Sequence, residues 1–347
     1  MNTPPFTPGS PAAQGYRMPA EWEPHRGTWI SWPHNPDTWH HGTLPAAEAT
    51  MAHIVAQLSE GEAVHINALD ADHATRIRRL LTRHGANLGA VVCHPFRTND
   101  AWCRDHSASF IVRDGDAPLA AVNWGFNAWG GKYPPFDADD AIPPQQAEAL
   151  HVPLFQGGMI LEGGAIEPNG AGTLLTTEDC LLAPTRNPNL DRAAIEHRLH
   201  DALDVHHILW LRGDLPGDDT DGHIDNIARF VDPTTIVAVY DSHNASLVET
   251  HERLRFACSA NDEAFEVHQL PLPEPVVFNS EVLPASYANF YIGNHVVLVP
   301  TYACSNDAIA IDLLSHCFPN RRVVGVDARA LIVGLGSIHC LTHQVPA

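Results

Sequence analysis

A cysteine behind a glycine-rich turn, Gly334-Leu-Gly-Ser-Ile-His-Cys340, and a distant Gly222-His-Ile-Asp-Asn226 contain the parts of a thiolate enzyme. Glycines at this density let a backbone take positive φ and approach a ligand closely, so the turn would present the Cys340 thiol exposed and rigidly held. A free thiol titrates near roughly 8.5, and attack at neutral pH needs a positive neighbour or a cationic substrate. His223 and Asp225 stand two apart at the start of the apolar stretch Ile224 to Val231. In an extended segment both would project from one face, a general base beside a carboxylate. The same region permits a second chemistry: Asp218, Asp221, His223 and Asp225 are the hard ligands of a metal-dependent hydrolase. An isolated His-x-Asp can also be a surface pair at a strand entrance.

Two further clusters carry chemistry-bearing types, Asn99-Asp100-Ala101-Trp102-Cys103-Arg104-Asp105-His106 and Ile160-Leu-Glu162-Gly-Gly164. A carboxylate after Trp-x-Arg could grip a planar cation while the indole packs on it, or the Arg and Asp could simply cap a turn. Glu162 could equally end an apolar strand. If residues around 103 to 105 are extended, Cys103 shares a face with Asp105 and is a second candidate thiol.

These residues need elements to position them. Apolar runs of strand length occur at Thr28 to Trp32, Ala63 to Asn67, Ser109 to Val112, Thr235 to Tyr240 and His295 to Val299. Helical patterns lie between several of them, at Ala46 to Ser59, Ala71 to His84, Leu190 to Leu203, Ser246 to Cys258 and Asp307 to Cys317. Short strands alternating with single helices indicate an α/β chain. Periodicity alone does not choose between a wound sheet and a radial arrangement, and no sequence repeat counts the blades.

Composition narrows the ligand. Twenty Lys and Arg against forty-one Asp and Glu give a formal charge of −21 over 347 residues, which favours a cationic ligand and argues against nucleic acid. The seven cysteines form no CxxC pair and no regular secreted framework, as expected of reduced thiols in the cytoplasm. No apolar run reaches membrane-spanning length. The first sixteen residues, rich in proline, read as a flexible arm rather than a targeting signal, and residues 17–347 as a single catalytic domain.

Taken in order, Met18-Pro-Ala-Glu-Trp22, Asn99 to Asp105, Gly125-Phe-Asn-Ala-Trp-Gly-Gly-Lys-Tyr-Pro-Pro135, Leu161-Glu-Gly-Gly164, Leu174-Leu-Thr-Thr-Glu178, Arg186-Asn-Pro188, Gly222 to Asn226, Pro284-Ala-Ser-Tyr287 and Gly336 to Cys340 form one pattern. The chain resembles the agmatine deiminases and the related bacterial, Porphyromonas-type peptidylarginine deiminases, from about residue 17 to its end. That resemblance implies a five-bladed α/β-propeller of pseudo-fivefold ββαβ units, with blades alike in shape and not in sequence. It implies a hydrolase of C–N bonds in linear amidines, with Cys340 as nucleophile and His223 as general acid and base. Asp105 and Asp225 would hold the guanidinium, and Glu162 would support the histidine. Trp102 would pack on the alkyl chain of agmatine, and Asp219 would face its distal amine. No metal or organic cofactor is implied; the small cationic guanidino substrate is the expected partner, together with assembly into a homodimer or larger homo-oligomer.

The pattern is broken in two places. His106-Ser107-Ala108 follows Asp105 where the family usually has Thr or His and then Gly-Pro, and Ser337 stands where many members carry Asn. The first change puts substrate preference in question more than guanidinium binding. Peptidylarginine or free arginine would require arginines at the pocket mouth, with Arg97, Arg113, Arg186 and Arg212 as the candidates. A non-catalytic polyamine or guanidine binder is the remaining alternative.

Overall fold

The computed structural model describes residues 5–347; the first four residues of the arm expected over 1–16 lie outside the described residues. Within the arm, the Phe6 ring stacks on His200 with centroids 4.4 Å apart, and Tyr16 is buried.

Five small sheets follow one plan, in which two antiparallel strands are continued by a helix and a third, parallel strand. One unit comprises Ser109–Val112, Leu119–Gly125, the helix Ile142–Leu150 and Leu154–Ile160. The next is Ile166–Pro168, Thr173–Thr177, Arg192–Leu203 and His207–Leu211. Ala228–Phe230, Thr235–Val239, Ala245–Arg255 and Glu266–Leu270 form another, and Tyr291–Ile292, Val296–Thr301, Asn306–Cys317 and Arg322–Asp327 another. The remaining unit joins the two ends of the chain. Thr342–Pro346 pairs antiparallel with His25–Ser31, which is followed by the helix Leu44–Leu58 and the parallel strand Ala63–Asn67. A second helix, Ala71–Arg83, adds Val91–His94 to that sheet. This is the α/β-propeller anticipated above.

Local chemistry explains the elements. Asp70, Asp191 and Asn244 cap three of the helices by accepting backbone N–H groups two to three residues ahead. In Ala71–Arg83 the buried residues are His73, Ile77 and Leu81, a single stripe at i, i+4 and i+8, so this helix covers its sheet with one face and leaves the other polar. Thr173–Thr177 is buried throughout, as befits the middle strand of a sheet covered on both sides. The helix and strand bounds read from the sequence agree with these to within a few residues.

The repeated plan has one consequence for function. The connection that leads into the first strand of each unit falls at Cys103–His106, Gly163–Ala165, Ile224–Asn226, the residues around Asn289, and His339–Leu341. Four of these are single helical turns. Each of the five units therefore delivers one tight connection to the same end of the fold.

Candidate active site

Four of the five connections carry or abut Asp105, Glu162, His223, Asp225 and Cys340. Gly164 marks where they meet: a Cβ built there would lie 2.5 Å from His223 Nδ1, 2.8 Å from Asp105 Oδ1 and 3.2 Å from Asp225 Oδ2. Only a residue without a side chain lets the three groups approach, and the Gly164 N–H donates to Asp105 Oδ1 at 3.0 Å. Cys340 joins them, its Sγ 3.7 Å from Asp225 Oδ2. Four residues from three distant stretches of the sequence thus surround one small volume.

Several local expectations need correction. Residues 103–106 are helical, so Cys103 and Asp105 do not share a face; Cys103 Sγ faces Ser107 Oγ at 3.1 Å, and burial pushes its thiol up to about 12. His223 and Asp225 flank and enter a 3-10 turn, not an extended strand. Gly334 and Gly336 are absent from the positive-φ residues, and it is Leu335 that takes φ 71. The two glycines are needed for clearance instead: a Cβ on Gly336 would sit 2.3 Å from the Trp102 ring, and one on Gly334 2.9 Å from it. Cys340 is accordingly 4% exposed rather than openly presented, although it lines the cavity.

The electrostatics follow from burial among acids. Desolvation pushes the Asp105 carboxyl up to about 6; nearby His223 opposes that rise, while Asp225 and Glu162 add to it. Burial disfavours the His223 cation, but Asp105, the Cys180 thiol and Asp225 outweigh it and hold His223 well above the ordinary imidazole range. Its Nδ1 is 3.7 Å from Asp105 Oδ1, and neither ring nitrogen has a hydrogen-bond partner within the protein. Burial, Asp225 and Asp105 together push the Cys340 thiol well above its usual range. Only a cation placed among these groups reverses that sign, so the thiolate and a positive ligand favour one another.

Glu162 is fully buried, and its Oε1 accepts from Arg186 Nε at 2.8 Å. Ligand atoms of Glu162, Cys180 and His223 lie within 4.8 Å of one another and could in principle surround a metal ion. The Arg186 guanidinium already supplies a cation to that carboxylate. The other metal set does not assemble. Asp218 spends its oxygens on Thr220 and Gly222 of its own turn, and Asp221 pairs with Arg186 and Lys132.

A cavity of about 860 Å³ leads to Cys340 and Asp105. Trp102 lies along it, buried against Trp39. Asp219 lines its outer part, where Tyr133 donates a hydrogen bond to Asp219 Oδ2 and Lys132 donates to the Asp219 carbonyl. The acids Asp37, Asp100, Asp139 and Glu281 also line it. Lys132 is the one Lys or Arg side chain among the described lining residues, and none of Arg97, Arg113, Arg186 and Arg212 is there.

Where Gly-Pro is usual, other groups hold the turn. Ala108 N–H donates to Gln146 Oε1 at 2.9 Å, Gln146 Nε2 donates to Ser107 Oγ at 3.0 Å, and His106 Nε2 meets Ser31 Oγ at 2.9 Å. Burial pushes the His106 imidazole down to about 3.

Sequence reasoning assigned no role to four residues that shape the site. Trp129 Nε1 donates to Asp105 Oδ2 at 3.0 Å from a backbone at φ 55, a costly conformation for a bulky residue. Asn289 Nδ2 donates to Cys340 Sγ at 3.1 Å. His339 Nδ1 meets Asp225 Oδ2 at 2.7 Å, and Glu21 meets the other side of that ring. Trp129 and Glu21 lie in quoted motifs and His339 abuts the nucleophile candidate, so all three had a signal; Asn289 had none.

With this geometry in view, the comparisons with known proteins are consistent throughout. The sequence model of the Porphyromonas-type peptidyl-arginine deiminases matches residues 17–346. A protein of Latilactobacillus sakei named "Putative agmatine deiminase" is 35% identical over 97% of this chain and 98% of its own. The solved agmatine deiminase of Enterococcus faecalis is 32% identical, with TM-score 0.89 over 99% of each chain. A cysteine-to-serine variant of C. jejuni agmatine deiminase with substrate bound is 30% identical, with TM-score 0.86 over 99% of each chain. The chain belongs to the family of Porphyromonas-type peptidyl-arginine deiminases.

Proposed function

We propose that this protein is an agmatine deiminase, which hydrolyses agmatine to N-carbamoylputrescine and ammonia. The observation that carries the reading is the gathering of His223, Asp105 and Asp225 around Gly164 with the Cys340 thiol beside Asp225. Two carboxylates fix the guanidinium plane through its N–H groups and oppose loss of its charge. The cation in turn stabilises the Cys340 thiolate, which adds to the central carbon. His223, held protonated by its acidic neighbours, gives its proton to the departing nitrogen, and ammonia leaves. An amidino-thioether on Cys340 remains. Water then loses a proton to His223 and attacks the same carbon; the C–S bond breaks, the new hydroxyl gives up its proton to ammonia or solvent, and the neutral ureido product is released with the thiolate restored. Glu162, anchored by Arg186, supports the histidine within its 4.8 Å group.

Substrate choice rests on the cavity. Its acids suit the second cation of agmatine, with Asp219 toward that amine and Trp102 along the chain. Free arginine would bring a carboxylate into this acidic lining, where the one Lys is already engaged by Asp219 and Asp221. Residues 17–347 act as one catalytic domain in this reading. All seven cysteines are free thiols, which supports a cytoplasmic location and a place in polyamine formation. No helix among the described residues is long and apolar enough to cross a membrane.

The test is ammonia release from agmatine, arginine and a blocked arginine peptide, with Cys340→Ala alongside. Agmatine should be preferred and the variant inactive; undiminished turnover by Cys340→Ala would refute the assignment.

A further inference from the structure

The motif around Glu21 takes no part in the chemistry derived above, yet it reaches the site. His339, the residue before Cys340, is 1% exposed and lies between two carboxylates. Its Nδ1 is 2.7 Å from Asp225 Oδ2 and its Nε2 is 2.8 Å from Glu21 Oε2. A carboxylate oxygen at hydrogen-bond distance needs a donor, and a ring with an acceptor at each nitrogen satisfies both only when it carries both protons. His339 is thereby clamped, with a carboxylate oxygen at each ring nitrogen.

The surrounding pairs brace this arrangement. Glu21 also pairs with Arg104 at 3.0 Å and with Arg229 at 3.0 Å, and Arg229 pairs with Glu167 at 2.8 Å. The Glu21 side of the clamp is thus itself anchored by two buried guanidiniums. A buried group of this kind is costly unless fully paired. Burial raises the Asp225 carboxyl, but the hydrogen bond and charge of His339 outweigh it, with His223 and Arg229 adding to the fall below the ordinary carboxylate range.

The two oxygens of Asp225 are therefore unequal. Oδ2 is taken by His339, and Cys340 Sγ stands 3.7 Å from it. Oδ1 is buried and has no hydrogen-bond partner within the protein. Building on the deiminase reading, we infer that His339, clamped between Glu21 and Asp225, is the positioning residue that commits Asp225 Oδ2 and reserves Asp225 Oδ1 for a guanidinium N–H beside the nucleophile. The further charged or titratable groups around this ring are Arg104, whose Nε donates to the His339 carbonyl, His343, held neutral by burial with Arg104 and His339 adding to the fall, and Cys340 and His223 beside Asp225.

Three measurements test this. Neutron diffraction of the unaltered protein should show deuterium on both Nδ1 and Nε2 of His339; a single deuteron there overturns the inference without any variant. His339→Gln keeps one donor and loses the charge, so the KM for agmatine should rise about 10- to 100-fold, the loss expected for a hydrogen bond to a charged group. The loss should fall on KM, with kcat changed much less, because Asp225 Oδ1 holds the guanidinium and takes no part in proton transfer. A merely structural role would lower thermal stability and leave KM in place, so a folded His339→Gln protein with an unchanged KM overturns the inference. Glu21→Gln should raise KM in the same direction, and the double variant should raise it no further than the larger single change. Failure of the unaltered protein to release ammonia from agmatine would instead refute the activity, while the deuterium result would still decide the state of His339.

Discussion

Asn289 holds Cys340 from both ends: its Nδ2 donates to Cys340 Sγ at 3.1 Å, while its Oδ1 accepts the N–H of His339 at 3.0 Å and of Cys340 at 3.3 Å. The same Nδ2 also donates to Asn226 Oδ1 at 3.0 Å, tying the nucleophile's turn to the one that carries Asp225. One side chain thus orients the sulfur and favours its anion. Replacing Asn289 with Ala should reduce kcat by about 10- to 100-fold, the range for a hydrogen bond to a charged partner. The rate of Cys340 alkylation, followed against pH, should shift to higher pH, since Asn289 opposes the upward pressure of burial, Asp225 and Asp105.

Gly164→Ala tests the meeting point of the site. Its new methyl would lie under 3 Å from both His223 Nδ1 and Asp105 Oδ1. Overpacking of this kind costs about 1–3 kcal/mol. Thermal melting should therefore drop modestly while kcat/KM falls much further, because the displaced atoms are the reacting ones. Unchanged kinetics in the variant would show that the three groups do not act together.

The acid side of the pH profile should report Asp105. Its carboxyl is raised to about 6 by burial, against the pull of His223, so the folded protein binds this proton more tightly than the unfolded chain. The sign follows: stability from this group falls as pH rises from near 4 through about 6, by on the order of 3 kcal/mol if it titrates alone. Asp139, raised by burial to about 8, contributes in the same direction over a wider window. Guanidinium binding requires the ionised Asp105, so activity should climb where stability declines. Calorimetry of agmatine with Cys340→Ala near pH 5.5, in buffers of different ionisation enthalpy, should detect proton release on binding.

Asp219 should matter for the tail of the substrate and not for its head. The residue is partly exposed and its Oδ2 accepts from Tyr133, so its charge is screened by solvent. Asp219→Asn should raise the KM for agmatine by only about 2- to 5-fold, as expected of an exposed ion pair. Butylguanidine, which lacks the second amine, should be indifferent to the change. Equal effects on both compounds would remove Asp219 from amine recognition.

How legible the molecule was differs by level. The helix over 71–83 and the strands over 63–67 and 109–112 could be read directly, because period, caps and β-branched content are local properties. Cys340, His223, Asp105, Asp225 and Glu162 could be named because their motifs stand in family order, and the structure does bring them to one end of the fold. What those motifs look like in space was less readable. The cysteine turn suggested positive φ at its glycines, whereas Gly334 and Gly336 make room for Trp102, a residue more than two hundred positions away. The His-x-Asp stretch suggested a strand and forms a 3-10 turn, preceded by Gly222 at φ 90, which packs against Gly213 in another connection.

By itself, then, the sequence determined the chemical inventory: the candidate thiols and imidazoles, an excess of acids, and the short elements that carry them. Tertiary structure alone decided that the connections before five first strands converge, that Asn289 and His339 become partners of Cys340 and Asp225, and which acids keep their protons. The reason is physical. Hydrogen-bond partners and pKa values depend on distance and desolvation between atoms that the chain separates by up to several hundred residues, and those quantities exist only once the ring of five units has closed through the pairing of His25–Ser31 with Thr342–Pro346.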